Sequence, residues 1–245
     1  MRFYLNENEF IDTDFPLDLS IGIAENQTLS AWYVPPPKME IVRENGFLGS
    51  VHEGGDVNFR SIWFNPHGHG THTESCGHIT EEVFSVNKVL KTFFFRALLI
   101  SIVPEEQSNG DRVIFIPTLP DEKSIEALII RTLPNSSIKK TVNYADTNPP
   151  FLALEGIKVL NEKNIKHLLL DLPSVDKEKD GGELAFHHAF WEVPHKNRID
   201  RTITELIFVD ESITDGEYIL ELQMAAFEND ASPSRPVLYK IGQNK

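Results

Sequence analysis

Four of the nine histidines in this chain fall within twelve residues, and a glutamate lies among them. They are His67, His69, His72 and His78, with Glu74 between the last two. Imidazole nitrogens and carboxylate oxygens are the ligands that zinc and similar divalent ions bind in proteins. The residue types and their spacing therefore favour a metal site over the plainer interpretation, a polar surface loop that happens to carry histidines.

The same stretch is expected to be a tight loop. Gly68 and Gly70 allow backbone conformations with φ > 0, so side chains that are close in sequence can converge on one point. A helix is disfavoured because glycine is a poor helix former and Pro66 stands just ahead. We predict a strand from Asn58 to Phe64 that leads into this loop, with Trp63 packed in the core.

Two other histidine motifs compete for the loop. The segment from Gly68 to His72 resembles the catalytic-histidine segment of subtilisin-like proteases, but the chain has no Gly-Thr-Ser turn to carry the nucleophile. His67, His69 and His72 have the spacing of the metallo-β-lactamase motif His-x-His-x-Asp-His, but Thr71 replaces the aspartate. Neither class is favoured.

Two further features offer ligands that would close such a site. His187 and His188 are adjacent imidazoles flanked by apolar residues, and Glu205 lies inside a β-branched, apolar segment. An isolated buried charge costs several kcal/mol unless it is paired or binds a metal. The alternatives are a pair of histidines at the edge of the core and a glutamate on the exposed face of an alternating strand.

The pattern of apolar residues places these candidates on strands and helices. Buried strands are predicted where apolar runs are continuous, and one helix has an amphipathic stripe. The strands are predicted at 93–103, 127–132, 167–171, 202–209, 218–227 and 237–241, and the helices at 154–164 and 185–191, with a further helix starting at 121–126.

The composition of the chain limits the kinds of molecule that the protein is expected to bind. A formal net charge of −14, with no basic run longer than Lys139-Lys140, excludes binding to nucleic-acid phosphates and argues against an anionic membrane. The single cysteine, Cys76, excludes an intrachain disulfide. The first residues show no signal peptide and the longest apolar runs are too short to span a bilayer. We expect a cytoplasmic protein that acts on a small molecule.

Beyond these features, the chain resembles a family of metal-dependent hydrolases often called the cyclase family, which includes bacterial kynurenine formamidases and isatin hydrolases. The family signature is His-x-Gly-Thr-His-x-Asp-x-Pro-x-His, and residues 70–72 and 78 match it at the right spacing. Matches to other family segments follow in order: Ile129 to Thr132, Asp171 to Asp176, His187 with Phe190-Trp191, Ile203 to Leu206, and Asp230 to Pro236.

The resemblance implies a single α/β domain with a mixed sheet or half-barrel, of the swivelling β/β/α kind, and flanking helices. Residues 1–13 would form an N-terminal arm and residues 14–245 the hydrolase domain. It also implies one or two divalent ions, zinc or manganese, and usually a homo-oligomer. The implied metal ligands are His67, His72, Glu74, His187 and Glu205, with His69 and His188 as less favoured choices.

The implied reaction is hydrolysis of a small-molecule amide by a metal-activated water, with His78 as the general acid and base. The substrate would be an aryl formamide such as N-formylkynurenine, or a cyclic amide. Asp171 and Asp176 are expected to shape a turn, with support of a ligand as the less favoured role.

Three departures from the family pattern bear on this expectation. Glu74 stands where the family has aspartate, Cys76 replaces the proline, and Gly68 occupies the position of the family's first histidine. His67 or His69 would then supply that ligand, and His67 is favoured. The alternative function is a member of the same fold that binds metal but has lost catalysis.

Overall fold

The computed structural model describes residues 1–120 and 124–244. Most of the regular structure is β-strand, and the strands are β1 Arg2–Tyr4, β2 Glu9–Asp12, β3 Leu17–Asp18, β4 Lys38–Ile41, β5 Arg43–Glu44, β6 Phe47–Leu48, β7 Arg60–Trp63, β8 His72–Glu74, β9 Phe94–Ile102, β10 Glu105–Glu106, β11 Arg112–Ile114, β12 Ala127–Thr132, β13 Phe151–Leu152, β14 His167–Leu170, β15 Thr202–Glu205, β16 Gly216–Met224 and β17 Ala231–Gln243. The α-helices are short: α1 Val86–Val89, α2 Gly156–Glu162 and α3 Ala185–Trp191. Single 3-10 turns lie at Val51–Glu53, Cys76–His78 and Ser137–Lys140.

Seven of the strands close into a barrel in the order β17, β16, β9, β12, β14, β15, β8 and back to β17. Strands β9, β12, β14 and β15 run parallel, whereas β8 and β16 run antiparallel to their neighbours. The prediction of a mixed α/β sheet is confirmed. The half-barrel is completed by β8, which pairs with both β15 and β17 and so leaves no open edge between them.

The barrel strands separate two hydrophobic clusters. Alternate residues of β9, β12 and β14, such as Leu99, Ile129 and Leu169, fill the inside of the barrel. The residues between them, such as Leu128, pack outward against α2 and α3. Because both faces of these strands are buried, their sequences are continuously apolar, as predicted for 127–132.

Most predicted elements are present, and three need correction. The histidine-rich stretch was predicted as a loop, but its residues His72–Glu74 form strand β8, because they pair with β15 and β17. The strand at Ala127–Thr132 and the helix at Ala185–Trp191 have the predicted bounds. The strand predicted over 202–209 ends at Glu205, because Leu206 has a left-handed backbone (φ 54°). The helix predicted from 121 lies partly outside the described residues, and residues 124–126 are not helical.

Other segments lie outside the barrel. The hairpin of β1 and β2 joins the sheet through β17, and β7 pairs with β4 in a separate ribbon. On that ribbon Trp63 is 45% exposed, so the prediction that it packs in the core was wrong. Within the described residues no helix combines the length and apolar character needed to cross a membrane.

His167, the first residue of β14, is buried far from solvent. Its Nδ1 atom lies 2.9 Å from the Thr202 hydroxyl, and its ring packs on Phe95. Burial, with a contribution from the charge of Lys166, lowers the pKa of His167 from 6.5 to about 3. Between these two values the unfolded chain binds one more proton at this residue than the folded chain, so stability falls as the pH falls.

We therefore expect His167→Gln to weaken the loss of stability in acid. Between pH 6.5 and about 3, the free energy of unfolding of the unaltered chain should fall by about 1.4 kcal/mol per pH unit more than that of the variant. Urea unfolding at a series of pH values measures both slopes. Other titrating groups contribute equally to the two proteins, so equal slopes would contradict the prediction.

Candidate metal centre

The centre is built on the strand that closes the barrel. His72 and Glu74 are two residues apart on β8, so their side chains project from the same face. In the antiparallel pairing of β8 with β15, Glu205 lies opposite His72 and Ile203 lies opposite Glu74. Ile203 packs in the helix-facing cluster, so these two carboxylates and the imidazole lie on the outer face of the barrel, beneath α3.

Helix α3 places His187 over that face. The Nε2 atom of His187 lies 3.2 Å from Glu74 Oε1 and 4.0 Å from Glu205 Oε1. Its Nδ1 atom lies 2.7 Å from the carboxylate of Asp176, which also accepts the backbone N–H groups of Phe186 and His187. Asp176 therefore fixes both the start of the helix and the orientation of the imidazole, in addition to its place in a turn.

The loop ahead of β8 brings in His67. The side chain of Asn65 accepts the backbone N–H groups of His67 and Gly68, which tightens the turn. Gly68 packs against the segment from Ala31 to Val34: a Cβ atom at Gly68 would lie 2.5 Å from Val34 Cγ2. The segment from Ala31 to Val34 thus leaves no room for a side chain at position 68, where the family has its first histidine. The imidazole of the preceding residue, His67, lies beside Glu74 instead.

The ligand atoms form two groups that share one carboxylate. His67, Glu74 and His78 each offer an atom within 4.8 Å of the others, and so do His72, Glu74 and Glu205. The shortest contacts are 3.0 Å from His67 Nδ1 to Glu74 Oε2 and 3.4 Å from His72 Nε2 to Glu205 Oε2. Glu74 is therefore the residue common to both groups, and it would help to hold any ion bound by either of them.

The two less favoured histidines belong to neither group. The Nδ1 atom of His69 accepts the backbone N–H of Asn65, and its ring packs edge-on against Trp63. His188 is half-buried, and its Nδ1 atom lies 3.4 Å from the Val193 carbonyl. Six of the eight candidate residues named from the sequence are brought together, and these two are not.

The pKa values of several side chains in the centre are strongly shifted. Burial and the nearby charge of Glu74 raise the pKa of Glu205. Although burial opposes protonation, contacts with Asp230 and Glu74 raise the pKa of His67 to about 10, and Asp176 and Glu74 do the same for His187. The buried carboxylates thus favour a positive charge nearby, and protonated imidazoles supply it when no cation is bound.

Two buried atoms show that a metal ion would fit. His72 Nε2 and Glu74 Oε2 make no hydrogen bond to any described residue, although charged neighbours lie close. A buried polar atom left without a partner costs roughly 1–3 kcal/mol, and more when it is charged. A divalent cation bound by nitrogen and carboxylate oxygen would satisfy both atoms.

Sequence reasoning missed one member of the centre, Asp230. It lies just before β17, and its Oδ2 atom is 2.8 Å from His67 Nε2 and 3.4 Å from His78 Nδ1. The sequence placed Asp230 at the start of a family-like segment but gave no sign of its role. The pairing of β17 with β8, which sets Ala231 opposite Glu74, brings it here.

A sequence model of the Cyclase family matches residues 17–177. The chain belongs to this family. Among similar proteins is a kynurenine formamidase of Bacillus cereus, 28% identical over 238 residues that cover 97% of this chain and 100% of the relative. The kynurenine formamidase of Bacillus anthracis is 30% identical over 195 residues, which cover 79% of this chain and 86% of the relative. The prediction of an enzyme of the amidohydrolase kind is confirmed.

Solved structures of other Cyclase-type proteins show the same fold. One described as a potential metal-dependent hydrolase with cyclase activity superposes with a TM-score of 0.64 at 16% identity, covering 92% of this chain and 97% of that one. Isatin hydrolase A from Ralstonia solanacearum superposes with a TM-score of 0.63 at 12% identity, covering 92% and 91%. At such low sequence identity, these similarities show a shared fold and nothing more.

A surface hollow borders the centre of this Cyclase-family chain. It has a volume of about 270 Å³ and is lined mainly by apolar side chains, among them Trp63, Phe64 and Phe227. Ala231 and Pro233 also line it, and these residues lie opposite Glu74 and His72 in the sheet. The hollow therefore opens beside the strand that carries the ligand atoms.

Proposed function

We propose that this protein hydrolyses an amide bond of a small aryl compound, an aryl formamide such as N-formylkynurenine or a cyclic amide, using bound divalent metal. The observation that carries the proposal is that the Glu74 carboxylate belongs to two groups of potential metal-ligand atoms, one with His67 and His78 and the other with His72 and Glu205. The names of the relatives, kynurenine formamidase and isatin hydrolase, support the amide substrate.

The ligand types favour zinc or manganese, because imidazole and carboxylate suit both ions. One or two such ions would be held by the five ligands named from the sequence, His67, His72, Glu74, His187 and Glu205. When bound, such an ion polarises a carbonyl oxygen and makes a water molecule a stronger nucleophile at neutral pH. We assign the buried side chains the task of holding the cation in a dry, fixed environment.

His78 differs from the other histidines of the centre because its side chain is 32% exposed. Its ring stacks on His67 at 4.1 Å between centroids, and its Nε2 atom lies 4.0 Å from Glu74 Oε2. A partly exposed imidazole beside the centre can receive and return a proton during bond cleavage. We therefore retain His78 as the general acid and base, with its Nε2 atom as the group that would accept and return the proton.

The hollow beside the centre supports an aromatic substrate. Trp63, Phe64 and Phe227 present apolar surface there, and Phe64 packs edge-on against Phe227 at 5.9 Å. Aromatic walls favour a planar ring through stacked or edge-to-face contacts. An aryl group held in this hollow would lie against Ala231 and Pro233, the residues of β17 that pair with Glu74 and His72.

The test is elemental analysis of the purified protein, combined with hydrolysis of N-formylkynurenine and isatin before and after chelation. We expect one to two equivalents of zinc or manganese, turnover of one of these amides, loss of turnover with the chelator, and recovery when metal is returned. Binding of metal without turnover of either amide would support the metal centre and direct the search to other amides and to lactones. Absence of metal after reloading would refute the metal centre.

A further inference from the structure

Asp230 lies behind two histidines that stack on each other. Its Oδ2 atom is 2.8 Å from Nε2 of His67 and 3.4 Å from Nδ1 of His78. The rings of the two histidines are 4.1 Å apart and nearly parallel, with an angle of 28° between their planes. One carboxylate oxygen therefore reaches both imidazoles on the side away from the metal-ligand group.

The remaining nitrogen of each ring points towards Glu74. For His67 this is Nδ1, at 3.0 Å from Glu74 Oε2, and for His78 it is Nε2, at 4.0 Å from the same oxygen. His67 thus presents its Nδ1 atom, and His78 its Nε2 atom, to the same oxygen of Glu74. A neutral imidazole carries one N–H, so it can present a lone pair to a metal ion, or accept a proton, only if its other nitrogen holds that hydrogen.

The backbone holds Asp230 in this position. Its carbonyl oxygen accepts the N–H of Ser75 at 3.0 Å, and the next residue, Ala231, is paired with Glu74 between β17 and β8. The carboxylate is therefore fixed relative to Glu74 by main-chain hydrogen bonds. Its side chain is 17% exposed, so water competes only in part for its oxygens.

The opposite side of the centre is built in the same manner. Asp176 lies 2.7 Å from Nδ1 of His187, whose Nε2 atom faces Glu74 Oε1 at 3.2 Å. A carboxylate behind an imidazole that faces a metal ion sets its tautomer and orientation, and its loss typically costs 10–100-fold in metal affinity. Asp230 differs from Asp176 because one of its carboxylate oxygens lies close to two imidazoles.

We infer that Asp230 is a positioning residue that fixes opposite tautomers in two histidines, accepting Nε2–H from His67 and Nδ1–H from His78. This inference rests on the proposed metal centre. It explains how His67, which is displaced by one residue from the position of the family's first histidine, still presents a nitrogen to Glu74. It also leaves Nε2 of His78 free of a proton, as either contact with the ion or general base catalysis requires.

The test is zinc titration by calorimetry of the unaltered chain and of Asp230→Asn. We expect the variant to bind the most weakly held ion about 10–100-fold more weakly, and thermal unfolding of the metal-free variant checks that it is folded. Asp230→Glu keeps the ionised carboxylate, which accepts from both rings and donates to neither, and should recover part of the affinity. Glu228→Gln is the matched control, because Glu228 is on the same segment but contacts Lys88 and Asn87.

Nitrogen NMR of the imidazoles in the zinc-loaded protein gives a readout that is independent of turnover. We expect the unaltered chain to show a protonated Nε2 in His67 and a protonated Nδ1 in His78, and the Asn variant to lose this pattern. Unchanged zinc affinity and unchanged tautomers in the variant would overturn the role of Asp230. Failure of the unaltered chain to bind zinc at all would instead refute the proposed metal centre.

Discussion

Replacement of Glu74 by Gln is expected to remove both metal-ligand groups at once and to reduce amide hydrolysis by about 10³-fold or more. The reason is that each group includes Glu74, so no set of three close ligands remains among the described residues without it. Metal ions supply several kcal/mol of transition-state stabilisation in such enzymes, and each ~1.4 kcal/mol corresponds to a tenfold change in rate. The turnover number and the bound zinc per chain measure the effect.

Glu82→Gln provides the control, since Glu82 is exposed on the turn that follows the ligand loop. The Glu74 variant loses the contacts of this carboxylate with His67 and His187, so thermal unfolding of the metal-free variant must show that it is folded before turnover is compared. A Glu74→Gln protein that retained two tightly bound ions and full turnover would show that Glu74 does not bridge the groups.

Restoring the family's histidine with Gly68→His is expected to damage the protein. Its Cβ atom would lie 2.5 Å from Val34 Cγ2 and 3.2 Å from the Ala31 carbonyl, so the loop must move. Overpacking of this kind costs about 1–3 kcal/mol in the free energy of unfolding. Displacement of the neighbouring His67 by about 1 Å should lower turnover by about 10²-fold. Urea unfolding and steady-state kinetics measure the two losses.

The double variant Gly68→His with Val34→Ala tests the cause. Removing the methyl groups of Val34 relieves the nearest clash, so we expect it to recover much of the lost stability, while Val34→Ala alone should be mildly destabilising. Tighter zinc binding by Gly68→His, without loss of stability, would show that the segment from Ala31 to Val34 yields easily and that the family's ligand arrangement is accessible to this chain.

The sequence predicted the strands with continuous apolar runs because these runs reflect burial on both faces, but it did not predict β8, whose residues are polar. Strand β12 has the predicted bounds, and β9 differs from prediction by one residue at each end. The end of β15 could not be read from the sequence, because Leu206 continues the apolar run and yet adopts a left-handed backbone. Periodicity reports where side chains are buried and says little about the backbone dihedral angles that end a strand.

The sequence likewise predicted some residues of the candidate centre and missed others. His72, Glu74, His187 and Glu205 were identified from residue type and from the cost of burying charge, and the structure brings them together. Asp230 was missed because it lies more than 150 residues from His67 and His78, and only the closure of the barrel joins them. Trp63 was misjudged because β7 belongs to a ribbon outside the barrel, where an aromatic residue borders solvent.

The pairing of β8 with β17 also sets the order in which the protein can mature. During synthesis β8 emerges well before its second neighbour, β17, which starts at Ala231, and before the adjoining Asp230. Contacts so distant in sequence form slowly because a long loop must close first. Firm binding of a metal ion is therefore expected only after β17 has emerged and paired, and a nascent chain without β17 is expected to expose its histidines without holding an ion firmly.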